Sequence, residues 1–426
     1  MLINLADAVA RTSGGKAAPL ARLIRAGVSV PAGFVVPTWA YEQGLAGVDV
    51  AGAARQGADR ARLLVEQAML APALVEEIAA RLSRITAPPG FGYVAVRSSA
   101  TTEDGDESTA AGQHDTVLGV RGPAEVVQAV RRCWASLWSD RAVAYRSQQG
   151  DRQDDAPVAT AVLVQRLVDA DVAGVLFTGS TTRIEASWGL GESVVAGRVT
   201  PDTWLVTDQG ITDRSIGSKH SRTDRVRAQT VSRPVPAADQ DRLCLNDRHV
   251  LELTQLGRRI EHLLGSPHDV EWAIADDHIW ILQARPITAD LPNTPSAPSG
   301  PALGAADLTG TPASPGRATG PVRLIHGPGD FARVQPGDIL VCRTTDPAWT
   351  PLFGVAAAVI TETGGMLSHA AIVAREQGLP AVLAVPDATT TLPEGALVMV
   401  DGSSGRVVLT IDQNKPELPA GVDDEL

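Results

Sequence analysis

Apolar residues along this chain gather in short runs punctuated by glycine, proline and aspartate, and the runs change character along its length. Near the N-terminus GGKAAPLARLIRAG (14–27) reads as a glycine-led helix, and VPAGFVV (30–36) follows as a short strand. An amphipathic helix is expected through 57–85. From residue 91 onward strands recur, as FGYVAVR, VATAVLVQRLV, GVLFT and IEASWG. Residues 267–287 read as a β-hairpin, with DVEWAI and IWILQARP on either side of the turn residues Asp276-Asp277. Residues 288–308, TADLPNTPSAPSGPALGAADL, carry four prolines between 292 and 301 and no periodicity. That composition suits a semi-rigid linker able to span about 60 Å, or an ordinary spacer. Beyond it, residues 309–411 alternate strand and helix: GPVRLI, GDILVCR, AAAVIT, a helix after Ser368, AVLAV and ALVMVDG. The pattern predicts an α/β and α+β multidomain chain whose C-terminal part is a small domain of its own.

The chain's 426 residues exceed one ordinary core and imply two or three domains. A hydrophobic content of 44% with 20% charged residues provides for a sizeable core, as in soluble globular proteins. The net charge of −12 argues against a nucleic-acid partner, whose footprint is a basic face. It leaves room for an anionic substrate, because a local cluster of arginine and lysine outweighs the global sign. Cys133, Cys244 and Cys342 are odd in number, far apart and without metal-ligand spacing, which points to a reduced, cytoplasmic compartment. MLINLADAVAR lacks the features of a signal peptide, and no run approaches the length of a membrane span, so no membrane partner is expected. Among 37 basic residues only Lys16, Lys219 and Lys415 are lysine. Lys16 follows Gly14-Gly15, a loop type that lets backbone approach phosphate; drift accounts for such a lysine equally well.

Three segments carry candidate chemistry. In VAVRSSATTEDGDESTAAGQHDT (94–116), Arg97 ends an apolar strand and a loop of small and hydroxyl residues follows. Such a loop lets N–H groups converge on an anion that a strand-end arginine holds as a bidentate donor, although polar loops after strands are also common without any ligand. In the hairpin, Glu271 sits between apolar neighbours while Gln283 and Arg285 share one face. A carboxylate and an amide oxygen directed to one place suit Mg²⁺, with phosphates completing its shell. A solvated polar face on an amphipathic hairpin is the other reading. A two-residue turn at Asp276-Asp277 sets Glu271 opposite Leu282, on the wrong face; a loop with an odd number of residues sets it opposite Gln283, and the odd loop is expected. In TETGGMLSHAAIVAREQG (361–378), Ser368 suits an N-cap and Gly378 a stop. His369 then occupies the first turn, where the helix dipole disfavours imidazolium and leaves a neutral nucleophilic nitrogen. Gly364-Gly365 removes bulk so that a polyphosphate can approach. A capped helix with an incidental histidine fits the same residues.

Taken together these segments resemble the phosphoenolpyruvate synthase / pyruvate phosphate dikinase family, which includes the rifampin phosphotransferase-like enzymes. GGKAAPLARLIRAGVSVPAGFVV, VRSSATTEDGDESTAAGQHDT, CWASLWSDRAVAYR, VLVQRLVDADVAGVLFT, IEASWGLGESVVAGRVTPD and DVEWAIADDHIWILQARPIT look like successive blocks of its ATP-grasp domain. TDPAWTPLF and TETGGMLSHAAIVAREQGLPAV look like its swivelling phosphohistidine domain. The resemblance implies an ATP-grasp domain of two lobes over 1–288, a Pro-rich linker over 289–308, a swivelling β/β/α domain over 309–411 and a polar tail over 412–426. It implies that Lys16 and Arg97 hold ATP phosphates, with Gly112 and Thr116 in the loop that closes over them. Gln165 would lie in the segment lining the adenine pocket, with backbone from Leu167 and Val168. Glu271 and Gln283 would bind Mg²⁺, Arg285 the polyphosphate, and His369 would be the phosphorylated nucleophile.

The implied activity is a dikinase-type phosphotransfer. ATP is cleaved to AMP, the β-phosphoryl group passes to His369, and the domain swings to deliver it to a small-molecule acceptor. Two departures bear on this. Thr109-Ala110-Ala111-Gly112 stands where relatives carry an aromatic residue two places before the glycine. The third, acceptor-binding module of the relatives is not recognisable in these residues. The alternative is therefore a phosphorelay subunit of a split system, whose partner protein holds the acceptor site.

Overall fold

The computed structural model describes residues 1–86, 92–100, 116–139, 142–143, 159–287 and 307–410. The linker 289–306, the tail from 411 and the loop 101–115 with Gly112 lie outside the described residues. The first lobe is a five-stranded sheet in the spatial order β1-β2-β5-β3-β4. Its strands are β1 (Ile3–Asn4), β2 (Gly33–Val36), β3 (Val94–Ala100), β4 (Thr116–Val120) and β5 (Thr160–Arg166). Alternation gives each face its own core. Phe34, Val36, Val94, Val96, Val162 and Val164 face helices that include Ala58–Glu66, Pro72–Ile85 and Pro123–Ala135. Val35, Ala161 and Leu163 face helix α1 (Ala10–Arg25) and join a core that continues into the second lobe through Trp204 and Trp272.

The second lobe is a six-stranded antiparallel sheet ordered β13-β12-β6-β7-β8-β9. It is made of β6 (Val172–Phe177), β7 (Thr182–Trp188), β8 (Asp202–Thr207), β9 (Gly210–Ser215), β12 (His268–Ala275) and β13 (His278–Pro286). A separate ribbon pairs β10 (Ser221–Val226) with β11 (Gln229–Pro234). Helix α2 (Asp247–Leu264) backs the large sheet with Val250, Leu253 and Ile260 buried. At its N-terminus the Asn246 Oδ1 accepts from the His249 N–H, and it ends on left-handed Gly265.

The C-terminal part forms an eight-stranded mixed sheet from β14 (Asp307–Thr309) to β21 (Arg406–Leu409). Within it β16 (Arg317–Leu324), β17 (Ile339–Cys342), β18 (Ala358–Thr361) and β19 (Ala381–Leu383) run parallel. Helix α3 (His369–Glu376) crosses over between β18 and β19 and packs Ala371 and Ala374 onto Leu340, Val359 and Leu383. The expected mixed α/β multidomain architecture is therefore present. Among the described residues no helix is long and apolar enough to cross a membrane, and all three cysteines are buried and free.

Three expectations change in detail. The helix expected through 57–85 is two, Ala58–Glu66 and Pro72–Ile85. Pro72 has no N–H and so suits the first turn of a new helix better than the interior of a long one. Strand β14 begins at Asp307, inside the stretch expected to be linker, because pairing with β21 gives its backbone partners. The third concerns the hairpin. Asp276 and Asp277 both have positive φ, 49° and 63°, as a two-residue type I′ turn requires, and Ala275 pairs directly with His278. The odd loop is absent, yet Glu271 does pair with Gln283. The missing residue enters as a β-bulge: Trp272 pairs with Ile281 and Glu271 with Gln283, leaving Leu282 as the extra residue.

That bulge decides which way the polar residues point. Ile279 and Ile281 face the buried core beside Ile274 and Trp272. In a regular strand Gln283 and Arg285 would follow them inward. One inserted residue reverses the parity, so that Ala284 joins Val270 in the core and Gln283 and Arg285 turn to the other face. Deleting Leu282 is expected to leave a regular ladder with Gln283 and Arg285 on their present face, but to remove the carbonyl to which Arg97 donates, at a cost of about 1 kcal/mol. The check is a lower urea midpoint for the deletion variant than for Leu282→Ala, which keeps the bulge.

Candidate active site

Arg97 lies on β3 and reaches across to the second lobe. Its Nη1 donates to the Leu282 carbonyl at 3.0 Å, and its Nη2 donates to Glu271 Oε2 at 2.9 Å and Gln283 Oε1 at 2.7 Å. The bulged residue has no ladder partner for its carbonyl, and the arginine supplies one. Three of the expected site residues thus meet at one point. The two oxygens converge on a guanidinium nitrogen that stands where a cation would be held. A carboxylate and a neutral amide oxygen are the donor types a hard divalent ion takes, leaving most of its shell to water and phosphate. The pair fits Mg²⁺ on that ground. Among the described residues no group of three His, Cys, Asp or Glu side chains forms a metal cluster.

Lys16 reaches the same neighbourhood through α1. The helix is broken at Gly14, whose φ of 75° lets the chain turn against β3; a Cβ there would collide with the Ser99 carbonyl. Ser99 Oγ donates to the Ser13 carbonyl at 2.8 Å and accepts from the Lys16 N–H at 3.2 Å. Lys16 is tied in this way to the strand that carries Arg97 two residues earlier. Thr116 on β4 pairs directly with Arg97. At the positions expected to line an adenine pocket, the hydrogen bonds are structural. The Gln165 amide is buried and donates to the Pro31 carbonyl at 3.1 Å, and the Leu167 N–H donates to Tyr93. Val168 packs with Leu190 and Ala273, with Leu118, Trp280 and Leu282 against them, an apolar cluster beside the hairpin.

Arg285 has a partner that the residue pattern did not reveal. Asp269 pairs opposite it, and its Oδ2 accepts from Arg285 Nε at 2.7 Å and lies 2.7 Å from Nη2. Burial pushes the Asp269 carboxyl up, and the Arg285 charge opposes that. A buried aspartate one pleat away from Glu271 is the signal that could have found it, since DVEWAI carries both acids on one face.

His369 begins α3, buried, at the carboxyl end of the parallel strands, the edge where α/β sheets bind ligands. Ser368 occupies the N-cap position, but its hydroxyl donates back to the Gly365 carbonyl at 2.8 Å and caps no helix N–H, which corrects the expected cap. Gly378, with φ of 63°, does end the helix. The space freed at Gly365 is also taken: a Cβ there would strike Glu185 Oε2 and Pro201, both in the second lobe.

The His369 loop is docked on that lobe. Glu185 on β7 accepts from the Met366 N–H at 2.9 Å and the Leu367 N–H at 3.2 Å. Thr344 and Thr363, which follow β17 and β18, donate to the Gly197 carbonyl at 3.0 and 2.7 Å. Met366 and Leu367 pack among Val175, Phe177, Val194 and Val199. Burial of such side chains contributes roughly 1.5–3 kcal/mol each. Arg375, at the far end of α3, donates to the Ala313 and Met366 carbonyls, both at 2.9 Å. Burial pushes its pKa down to about 10, opposed by Glu185 and Asp269 and reinforced by the like charge of Arg285. Helix α3 therefore lies within electrostatic reach of the Arg285–Asp269 pair.

Removing one partner of a buried ion pair costs more than removing both. Asp269→Asn is expected to lower the stability of the nucleotide-side lobes by about 3 kcal/mol, and Asp269→Asn with Arg285→Met to recover most of it. A double-mutant cycle of denaturation midpoints checks this.

A family model described as the pyruvate phosphate dikinase AMP/ATP-binding domain matches residues 10–299. A second, described as the PEP-utilising enzyme mobile domain, matches residues 334–405. A probable phosphoenolpyruvate synthase of Methanothermobacter thermautotrophicus is 38% identical over 425 residues, covering 93% of this chain and 61% of the relative. The phosphoenolpyruvate synthase of Aeropyrum pernix is 35% identical over 487 residues, covering 96% of this chain and 58% of the relative. The chain thus spans about three fifths of the length of these relatives. With both domain types matched in order around the Arg97–Glu271–Gln283 cluster and the His369 loop, the chain belongs to the phosphoenolpyruvate synthase / pyruvate phosphate dikinase family.

Proposed function

We propose that this protein is an ATP-dependent phosphotransferase that uses His369 as a covalent carrier. The observation that carries the reading is the docking of the His369 loop on the same body whose lobes join at Arg97, Glu271 and Gln283. In this account Lys16, Arg97 and Arg285 hold the polyphosphate, as cations do where negative charge must be gathered and oriented. Glu271 and Gln283 hold Mg²⁺, which neutralises phosphate charge when bound. Arg97 exchanges its contact with these two oxygens for the phosphates. An imidazole nitrogen of His369 attacks the β-phosphorus, and the bond to the α-phosphate oxygen breaks so that AMP leaves with that electron pair. The γ-phosphoryl group then departs to water or phosphate, leaving a single phosphoryl group on the imidazole. The Pro-rich linker lets the carrier domain swing to a small-molecule acceptor, which takes the group and restores His369.

The test uses ATP labelled separately at the β and γ positions, with Mg²⁺. AMP is expected as product, with β-label retained on wild-type protein and absent from His369→Ala. Glu271→Gln is expected to weaken Mg²⁺ dependence at least tenfold, the scale on which a lost charged ligand acts. ADP as the sole nucleotide product overturns the reading.

A further inference from the structure

Glu185 is a fully buried carboxylate in the middle of an apolar strand, an expensive place for a charge. Burial pushes its carboxyl up, with the nearby Arg183 charge and two backbone N–H groups pulling the other way. Among the described residues, the hydrogen bonds it accepts come from the C-terminal domain, from Met366 and Leu367. Its neighbours on the strand, Ile184 and Ala186, face the core of their own lobe, so Glu185 points to the opposite face, the one on which Met366 and Leu367 pack. The carboxylate therefore does its work only while the two parts are together.

We infer that Glu185 is the positioning residue that docks the nucleophile loop, and that its charge makes docking selective for unphosphorylated His369. The first half follows from geometry. Two N–H groups two and three residues before His369 are fixed by one carboxylate, and Gly365 leaves no side chain between them. Arg375, bonded to the Met366 carbonyl, holds the other side of the peptide group whose Leu367 N–H donates to Glu185, so the loop is gripped at donor and acceptor together. The second half rests on the proposed phosphorylation of His369. A phosphoryl group would add negative charge to the helix mouth that Glu185 already faces, and like charges in a dry site repel strongly. Loading the carrier would thus weaken the contact that positioned it, and the domain would leave only after it has been charged. The threonine bonds to Gly197 carry no net charge and do not share this sensitivity.

The experiment is hydrogen exchange of the full chain, read at the Met366 and Leu367 amides, in three proteins without nucleotide. Glu185→Gln keeps the shape but sets an amide N–H against a backbone N–H. Gly365→Ala approaches from the other side of the interface; Gly365 is outside the left-handed region, so its own domain tolerates the methyl while Glu185 does not. Both variants are expected to exchange these amides about tenfold faster or more, while exchange in residues 182–188 stays as in wild type. In single turnover both are expected to form phosphohistidine about tenfold more slowly with an unchanged Kd for ATP. Wild-type exchange at Met366 and Leu367 in both variants overturns the docking role. Loss of protection across residues 182–188 in Glu185→Gln, with Gly365→Ala unaffected at the loop, assigns Glu185 to its own lobe and also overturns it. In wild type treated with ATP and Mg²⁺, faster exchange at the two amides is expected once His369 is phosphorylated; retained protection overturns the charge-dependent release. Because the nucleotide-free arms need no phosphorylation, they decide docking even where the carrier reading fails.

Discussion

A single inserted residue in one hairpin governs how this site is built. Strand β13 must bury Ile279, Ile281 and Ala284 while presenting Gln283 and Arg285 to the opposite side, and an unbroken two-residue period cannot do both. The bulge at Leu282 resolves the conflict and leaves a carbonyl without a ladder partner, which Arg97 from the other lobe satisfies. The same insertion therefore turns the polar groups outward and fastens the first lobe to the second. The turn itself contributes regularity: its type I′ geometry fixes the pairing from Ala275 to Trp272, so the irregularity falls where the chemistry needs it.

The contact between the C-terminal domain and the lobes follows a different logic. Under the proposed carrier role, a domain that docks and departs cannot rest on a large apolar face, because exposing it repeatedly would cost too much and invite aggregation. Here two apolar side chains, Met366 and Leu367, share the contact with hydrogen bonds that Glu185 accepts and that Thr344 and Thr363 donate. Buried charge is tolerated because each member has a partner: Glu185 has backbone N–H groups, Arg285 has Asp269, and Arg375 has two carbonyls. Water would solvate Glu185 on separation, so such groups make a contact that is specific when closed and inexpensive when open.

Much of the candidate site was legible in the residue pattern, and the parts that were not share a cause. Glu271 and Gln283 stand out as polar groups within apolar strands and Lys16 as one beside glycines, whereas Arg97 lies inside β3 and not at its end as expected; Arg97, Glu271 and Gln283 meet directly. Gln165 was expected in the segment lining an adenine pocket; its amide serves the Pro31 carbonyl, a partner 134 positions away that local pattern cannot foresee. Gly365 does remove bulk, as expected, but the occupant of the space is a carboxylate of another domain. Ser368 sits at a cap position with its hydroxyl committed backwards, because the tight turn at Gly365 offers a nearer acceptor than the helix offers a donor. Asp269 and Glu185 were overlooked as acids inside buried strands, whose meaning depends on what faces them.

By itself the sequence determined most element types and their order and the placement of a histidine at a helix start. Those depend on spacing within a few residues, where period, turn chemistry and backbone preference act directly. Tertiary structure alone decided the hairpin register at Glu271 and Gln283, the pairing of Arg285 with Asp269 and the seat of the His369 loop on Glu185. Each of these joins groups from separate strands or domains. The energy that selects among such arrangements lies in burying some side chains and satisfying others at once, a condition that only the assembled chain imposes.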